Sequence, residues 1–296
     1  MNTAARSDVD VSPHKATKTP PMRHRSASVS AQARKRMMAL ALAGILTMLL
    51  AACGTPTRPA ASSSSSASSS GGRGITVLAA ASLTESFNQL GKDFEAKNPE
   101  TTITFSFGSS ATLATQIVQG APADVFAAAS PATMKTVTDA GAADTPTDFV
   151  SNTLEIAVPK GNPHKITGLN DFADTSRRLA LCAPQVPCGA AAVKVVASAK
   201  IVPKPDTLEQ DVKATLQKVA HDEVDAALVY KTDVLAAGDK VDGIEFPEAQ
   251  DAINTYPIAT LKELKNPAVA KAFVDYVLSP EGQAVLARAG FAKPSV

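Results

Sequence analysis

From Ile75 onward the chain alternates strand-like and helix-like segments, and this alternation is what most narrows the folds open to it. "ITVLAAA" is a continuous apolar run; Leu83, Phe87, Leu90 and Phe94 then recur at helical offsets along one face of a helix ending near Asn98-Pro99. "TTITFSF", rich in β-branched and aromatic residues, reads as a second strand. It passes through "GSS" into a helix with Leu113, Ile117 and Val118 on one side. "ADVFAAA" reads as a third strand, and Ser130-Pro131 opens a third helix. Strands and helices in this order build a mainly parallel sheet covered by helices.

The middle of the chain is less regular. "NTLEIAVPKGNP" reads as a strand leaving the first unit, with Pro159, Gly161 and Pro163 as breakers. "RRLALC" and "VDAALVY" read as strands and "AAAVKVVASA" and "QDVKATLQKVAH" as helices, so a second α/β unit is expected. "AINTYPIATLKEL" reads as a long strand with Pro257 at a sheet edge. Helices from Pro267 to Leu278 and from Pro280 to Ala289 follow, and no fixed-period repeat runs through the sequence.

The N-terminal part has a different character. Arg34-Lys35-Arg36 precedes an uncharged run from Met37 to Ala52, which has the basic and short apolar regions of a secretory signal. The run is shorter than the roughly 20 residues needed to cross a bilayer as a permanent helix. Leu50-Ala51-Ala52-Cys53 resembles a bacterial lipobox, in which the cysteine thiol is lipidated and the protease cuts before it. Residues 1–52 are therefore expected to be a leader and lipoprotein signal, with Met22 or Met37 as other possible starts and Cys53 as the lipidated first residue. Two acyl chains hold a protein stably at a membrane, at about 0.8 kcal/mol per buried CH₂. The Ser/Gly/Pro-rich residues 53–74 have little to bury and read as a flexible tether.

A formal net charge of +1 gives no basic surplus for nucleic acid, so no nucleic-acid partner is expected. With Cys53 assigned to lipid, Cys182 and Cys188 remain, and an extracytoplasmic compartment favours a disulfide between them over two free thiols. Closing so short a loop contributes about 2 kcal/mol in the chain-entropy picture. Two cysteines without a nearby histidine are too few for a zinc site.

The folded part carries no HExxH, GxSxG, GxGxxG or Walker pattern, and His164 and His221 stand in a loop and at a helix end, so an enzyme is not expected. What recurs is a strand ending in small residues that passes to a helix through a hydroxyl. Such a junction presents unpaired N–H groups at the positive helix end, which suits an anion. Ser82 and Ser109-Ser110 stand at these junctions. Ser82-x-x-Glu85 also fits a capping box, and one hydroxyl can both cap and donate, so the two roles of Ser82 are compatible. "AAAS" at Ser130, before Pro131, reads as capping alone.

"ITVLAAASLTESF", "FSFGSSATLATQIVQGAPADVFAAAS", "VPCG", "EQDVKATL" and "AALVY", in this order, make residues from about Ile75 to Lys293 resemble the periplasmic molybdate-binding proteins of ABC importers. The resemblance implies a two-lobed α/β fold of the type II periplasmic binding class, each lobe a mainly parallel sheet flanked by helices, with the ligand cleft between lobes. Lobe 1 is expected over 75–158 and 253–296 and lobe 2 over 159–252, with hinge crossovers near Val158 and Ala252 to Tyr256. It implies hydroxyl donors from Ser82, Ser110 and Tyr230, and backbone N–H donors at Cys188, where the family often has alanine, and at Val212. Spacing leaves Ser109 open in place of Ser110, and Asp211 is expected to cap the helix that Val212 begins. The implied ligand is molybdate or tungstate, with no cofactor and no cation ligands. The implied partner is an importer permease, and the protein is expected to be a monomer held at the membrane through Cys53.

Donor chemistry narrows the anion. Molybdate, tungstate and sulfate carry no proton at neutral pH and suit a site made of donors, whereas phosphate is protonated and needs an acceptor. The matched positions include no carboxylate. Fixed dipoles in a dry cleft stabilise charge without Lys or Arg.

Overall fold

The computed structural model describes residues 73–294, all within one unit, Ser66–Val296. The leader, the lipobox at Cys53 and most of the tether lie outside the described residues. Among the described residues, no helix is long and apolar enough to cross a membrane.

The first unit begins with β1 (Arg73–Ala80), whose Ile75, Val77 and Ala79 enter one core layer while Leu78 enters the layer on the opposite face. A 3-10 turn, Ala81–Leu83, leads into α1 (Thr84–Lys97), and β2 (Thr101–Gly108) returns parallel to β1. Then come α2 (Ser110–Val118), β3 (Val125–Ala127) parallel to β1, α3 (Pro131–Asp139) and β4 (Thr147–Asn152). Leu113 and Ile117 of α2 are buried, but Val118 is exposed, so the apolar stripe is narrower than expected. Ser130 caps α3 by accepting from Thr133 N.

After Thr153 the chain enters the second unit. β5 (Leu154–Pro159) is followed by β6 (Leu179–Cys182), α4 (Pro187–Ser198), β7 (Thr207–Glu209), α5 (Val212–Ala220), β8 (Ala226–Tyr230), α6 (Lys231–Ala237) and β9 (Val241–Ile244). β10 (Asn254–Thr260) then returns to the first sheet, and α7 (Pro267–Leu278) and α8 (Pro280–Arg288) complete that unit.

The two sheets have corresponding topologies, β2-β1-β3-β10-β4 and β7-β6-β8-β5-β9. In each, the fourth strand is antiparallel to both neighbours and the other four share one direction. That odd strand is the one that has just crossed from the other unit. The mainly parallel two-lobed α/β architecture is thus present, but the first crossover is at Thr153, not near Val158. Residues Leu154 to Pro159, all buried and, Glu155 apart, apolar, pair with β8 and β9 and so belong to the second sheet. The second crossover covers 245–253, next to the expected position.

Pro257 also departs from expectation, since β10 lies between β3 and β4 and not at an edge. The register shifts between Tyr256 and Pro257, so the missing proline N–H falls at a bulge, and Pro257 O still accepts from Ala128 N at 3.0 Å.

Each sheet carries its own core. Phe87, Phe94, Phe149 and Phe273 pack beneath the first sheet with α1, α7 and α8, with Phe87 and Phe273 in edge contact at 6.2 Å. Leu113, Phe126 and Met134 fill its other face. In the second unit Ile156, Phe172, Val195, Leu216 and Leu228 form one cluster, which Ala81 of the first unit also joins.

Candidate functional site

Ala80, Ala81, Ser82, Gly108, Ser109, Ser110 and Ala129 from the first lobe and Val186, Pro187, Cys188, Asp211, Val212 and Tyr230 from the second line one cavity. Its cavity volume is about 20 Å³, far below the roughly 300–1,000 Å³ of pockets that take drug-sized molecules. The five expected positions, Ser82, Ser110, Cys188, Val212 and Tyr230, all come together here, each no more than 5% exposed. The alanines and Gly108 at the strand ends leave the space that larger side chains would fill.

Three helices present their N-termini to the cavity. In α2 the first intrahelical bond is Leu113 N to Ser109 O, so the preceding N–H groups have no partner inside the helix. α4 begins Pro187-Cys188-Gly189 with no side-chain cap, and its first bond is Ala190 N to Val186 O. Proline at the first position gives up no helical hydrogen bond, and the N–H groups of Cys188 and Gly189 remain for another acceptor. Asp211 caps α5 as expected, its Oδ1 accepting from Ala214 N at 2.9 Å, which leaves the N–H of Val212. Asp211 also lines the cavity, beside the five matched positions, none of which is a carboxylate. No lysine or arginine lines it.

The hydroxyls are individually held. Ser110 Oγ accepts from Ala129 N at 3.0 Å, so its own proton is free. Ser109 Oγ is buried with no hydrogen-bond partner, a costly state in a closed interior. Both serines reach the cavity, and the orphaned Ser109 hydroxyl adds a donor that spacing had left as an alternative to Ser110. Ser82 Oγ lies 2.9 Å from the Tyr256 hydroxyl. The capping box is not formed: the 3-10 turn pushes the start of α1 on to Thr84, Leu83 takes the cap position, and no side-chain cap bond is made. Glu85 turns instead to Lys213 of α5, at 2.8 Å.

Tyr230 Oη accepts from Asn254 Nδ2 at 2.7 Å, and the rings of Tyr230 and Tyr256 meet edge to face at 6.0 Å. Burial pushes both phenols up, Tyr230 well above its ordinary value, so both hold their protons as donors at neutral pH. Tyr256 and Asn254 were not singled out as site residues from sequence. Their place beside the cavity comes from the insertion of β10 between β3 and β4, a long-range pairing that no local pattern announces.

Cys182 and Cys188 form a disulfide, which ties the end of β6 to the first turn of α4. Gly189 makes this turn possible: a Cβ there would lie 1.9 Å from Ala183 O. Behind α5, Asp233 is fully buried, with Oδ1 3.2 Å from Lys213 Nζ and Oδ2 accepting from Tyr230 N at 3.3 Å. Burial pushes the Asp233 carboxyl up to about 6 against the opposing pull of Lys213. Desolvation draws the Lys213 ammonium down, but Asp233 and Glu85 outweigh it and hold it above its usual value. Among the described residues no cluster of three or more His, Cys, Asp or Glu is arranged to hold a metal ion.

Two corresponding α/β lobes joined by two crossovers, with a small donor-rich cavity between them, define a solute-binding protein of the two-lobed class. The chain belongs to the bacterial extracellular solute-binding protein family, whose pattern it matches over residues 75–292. It is 43% identical over 223 residues to the molybdate-binding protein ModA of Mycobacterium tuberculosis, covering 75% of this chain and 85% of that one. Its fold resembles the Azotobacter vinelandii periplasmic molybdate-binding protein, with a TM-score of 0.65 at 21% identity over 75% of this chain and all of the other. It equally resembles the sulfate-binding protein SubI of M. tuberculosis, with a TM-score of 0.66 at 18% identity, covering 74% and 86% of the two chains.

Proposed function

We propose that this protein captures molybdate, and tungstate with it, outside the cytoplasm and delivers it to the permease of an ABC importer. The observation that carries the reading is the convergence of hydroxyls and helix N-termini from both lobes on one small cavity without a lysine or arginine. The identity to a molybdate-binding relative supports the choice of anion. The fold alone does not, because a sulfate-binding protein shares it.

In this reading Ser82, Ser110 and Tyr230 donate through hydroxyls, and Cys188 and Val212 through backbone N–H groups, with Ser109 adding a further hydroxyl. The dipoles of α2, α4 and α5 stabilise the dianion. The lobes close about Thr153 and 245–253, and the closed form docks on the permease. Lipidation at Cys53 holds the protein at the membrane. Capture at nanomolar levels corresponds to about −12 kcal/mol.

Titration calorimetry of the full chain with molybdate, tungstate, sulfate and phosphate tests the anion. Tight binding of the first two is expected, and sulfate binding as tightly as either would replace this reading with that of a sulfate receptor. Mass spectrometry of the mature N-terminus tests the anchor, since an unmodified Cys53 removes it.

A further inference from the structure

Asn254, the first residue of β10, spans the two lobes behind the cavity. Its Nδ2 donates to Ala129 O at 2.8 Å on one side and to Tyr230 Oη at 2.7 Å on the other. The orientation of the amide is fixed chemically, because a carbonyl oxygen only accepts and the group facing it must be the NH₂. Both amide protons are thus committed. Tyr230 Oη accepts one of them, and the phenol's single proton is left to point elsewhere. Tyr230 lines the cavity.

The same residue, Ala129, sets a second hydroxyl through its N–H. Ala129 N donates to Ser110 Oγ at 3.0 Å, which leaves the Ser110 proton free in the same way. Each of these two hydroxyls has a donor at its back, which occupies a lone pair there and leaves its one proton to be donated toward an anion.

We propose that Asn254 is a specificity-determining positioning residue that fixes the Tyr230 hydroxyl in donor orientation and so selects a fully deprotonated oxyanion over one that carries a proton. The inference rests on the oxyanion-binding reading above and adds to it a residue that does not touch the anion. A protonated anion needs an acceptor at one corner. The carboxylate in the lining, Asp211, has Oδ1 committed to Ala214 N as the cap of α5. A freely rotating phenol would supply an acceptor, whereas the phenol held by Asn254 turns its proton, not its occupied lone pair, toward the anion.

The test compares wild type with Asn254→Leu, which removes both donors, and with the near-isosteric Asn254→Asp, whose carboxyl has at most one proton and cannot serve both Ala129 O and Tyr230 Oη. Molybdate and phosphate affinities are measured by calorimetry on the full chain, with melting temperature as the check on folding. Either variant should lose about tenfold in molybdate affinity and lose little or none for phosphate, so the ratio falls by about tenfold. Equal losses for both anions, or an unchanged ratio, would overturn the proposal and leave Asn254 as a structural tie.

A ligand-free measurement separates this from the functional reading. The infrared C–O stretch of Tyr230, assigned by its absence in Tyr230→Phe among the three tyrosines of the chain, should shift in Asn254→Leu. Wild type that binds no oxyanion would refute the functional reading, and the infrared result would then decide the orientation claim: a shift keeps it and no shift removes it.

Discussion

Lys213 Nζ on the second lobe lies 2.8 Å from Glu85 Oε2 on the first, and its neighbour in the chain, Val212, begins the helix that faces the cavity. The ion pair bridges the two lobes, and so it favours the arrangement in which they meet. Glu85 is 52% exposed along its side chain, so the pair is partly screened and worth at most about 1 kcal/mol. Glu85→Gln should speed release of molybdate about three- to fivefold with little change in melting temperature, as read by stopped-flow tyrosine fluorescence. An unchanged release rate in low salt would show that the pair does not latch the lobes.

Lys213→Met should behave differently, because it also strips Asp233 of its cation. A buried carboxylate left without a partner costs about 3 kcal/mol or more, which chemical unfolding at neutral pH would reveal. Loss of stability no greater than in Glu85→Gln would mean that Asp233 is already neutral there.

The buried carboxyl gives stability a definite slope with pH. Asp233 is held at about 6 when folded against an ordinary 3.8, so between these values the folded chain binds a proton that the unfolded chain has released. Its contribution is whole below about pH 3.8 and is lost as pH rises through about 6. Relative to Asp233→Asn, wild type should therefore lose about 2–3 kcal/mol between about pH 4 and about pH 7 in urea unfolding. A difference between the two proteins that is flat across this window would contradict the raised value.

Gly189 lies where backbone passes too close for a side chain, with Ala183 O 1.9 Å from the place of a Cβ. Gly189→Ala must push the first turn of α4 away from the loop that the disulfide closes. A cost of about 1–3 kcal/mol and a roughly tenfold loss of molybdate affinity are expected, since the Cys188 N–H moves with that turn. Replacing both Cys182 and Cys188 by Ser should cost about 2 kcal/mol but weaken binding only a few-fold, because the donor at Cys188 is main chain. If the double replacement abolished binding, the disulfide would be holding more than this one loop.

The strand-to-helix junctions were legible in sequence because their causes are local. Apolar strands that end in Ala or Gly, followed by a hydroxyl and a 3.6-residue stripe, specify β1 with α1 and β2 with α2 almost completely. The set of five cavity-lining positions became legible only through family resemblance, since "AAAS" also occurs at Ser130, where it merely caps α3. What sequence misread depends on long-range pairing or on a shift of a single turn. The capping box at Ser82 failed because a 3-10 turn moved the helix start, and the crossover moved to Thr153 because the second sheet accepts all of Leu154 to Pro159. Asn254 and Tyr256 have no local signature, because the Tyr230 and Ser82 they meet come from other segments. Asp233 accepts from Tyr230 N three residues back, but the Lys213 that faces it comes from another helix.

The exchanged fourth strands have a mechanical consequence. Both ends of the described chain belong to the first lobe, where β1 and α8 share one core layer, while the second lobe is looped out between β4 and β10. Tension applied between the ends would load the first lobe directly, and the second would bear no force until the pairing of β4 with β10 had torn. The lobe looped out between β4 and β10 is the half shielded from a pull along the chain.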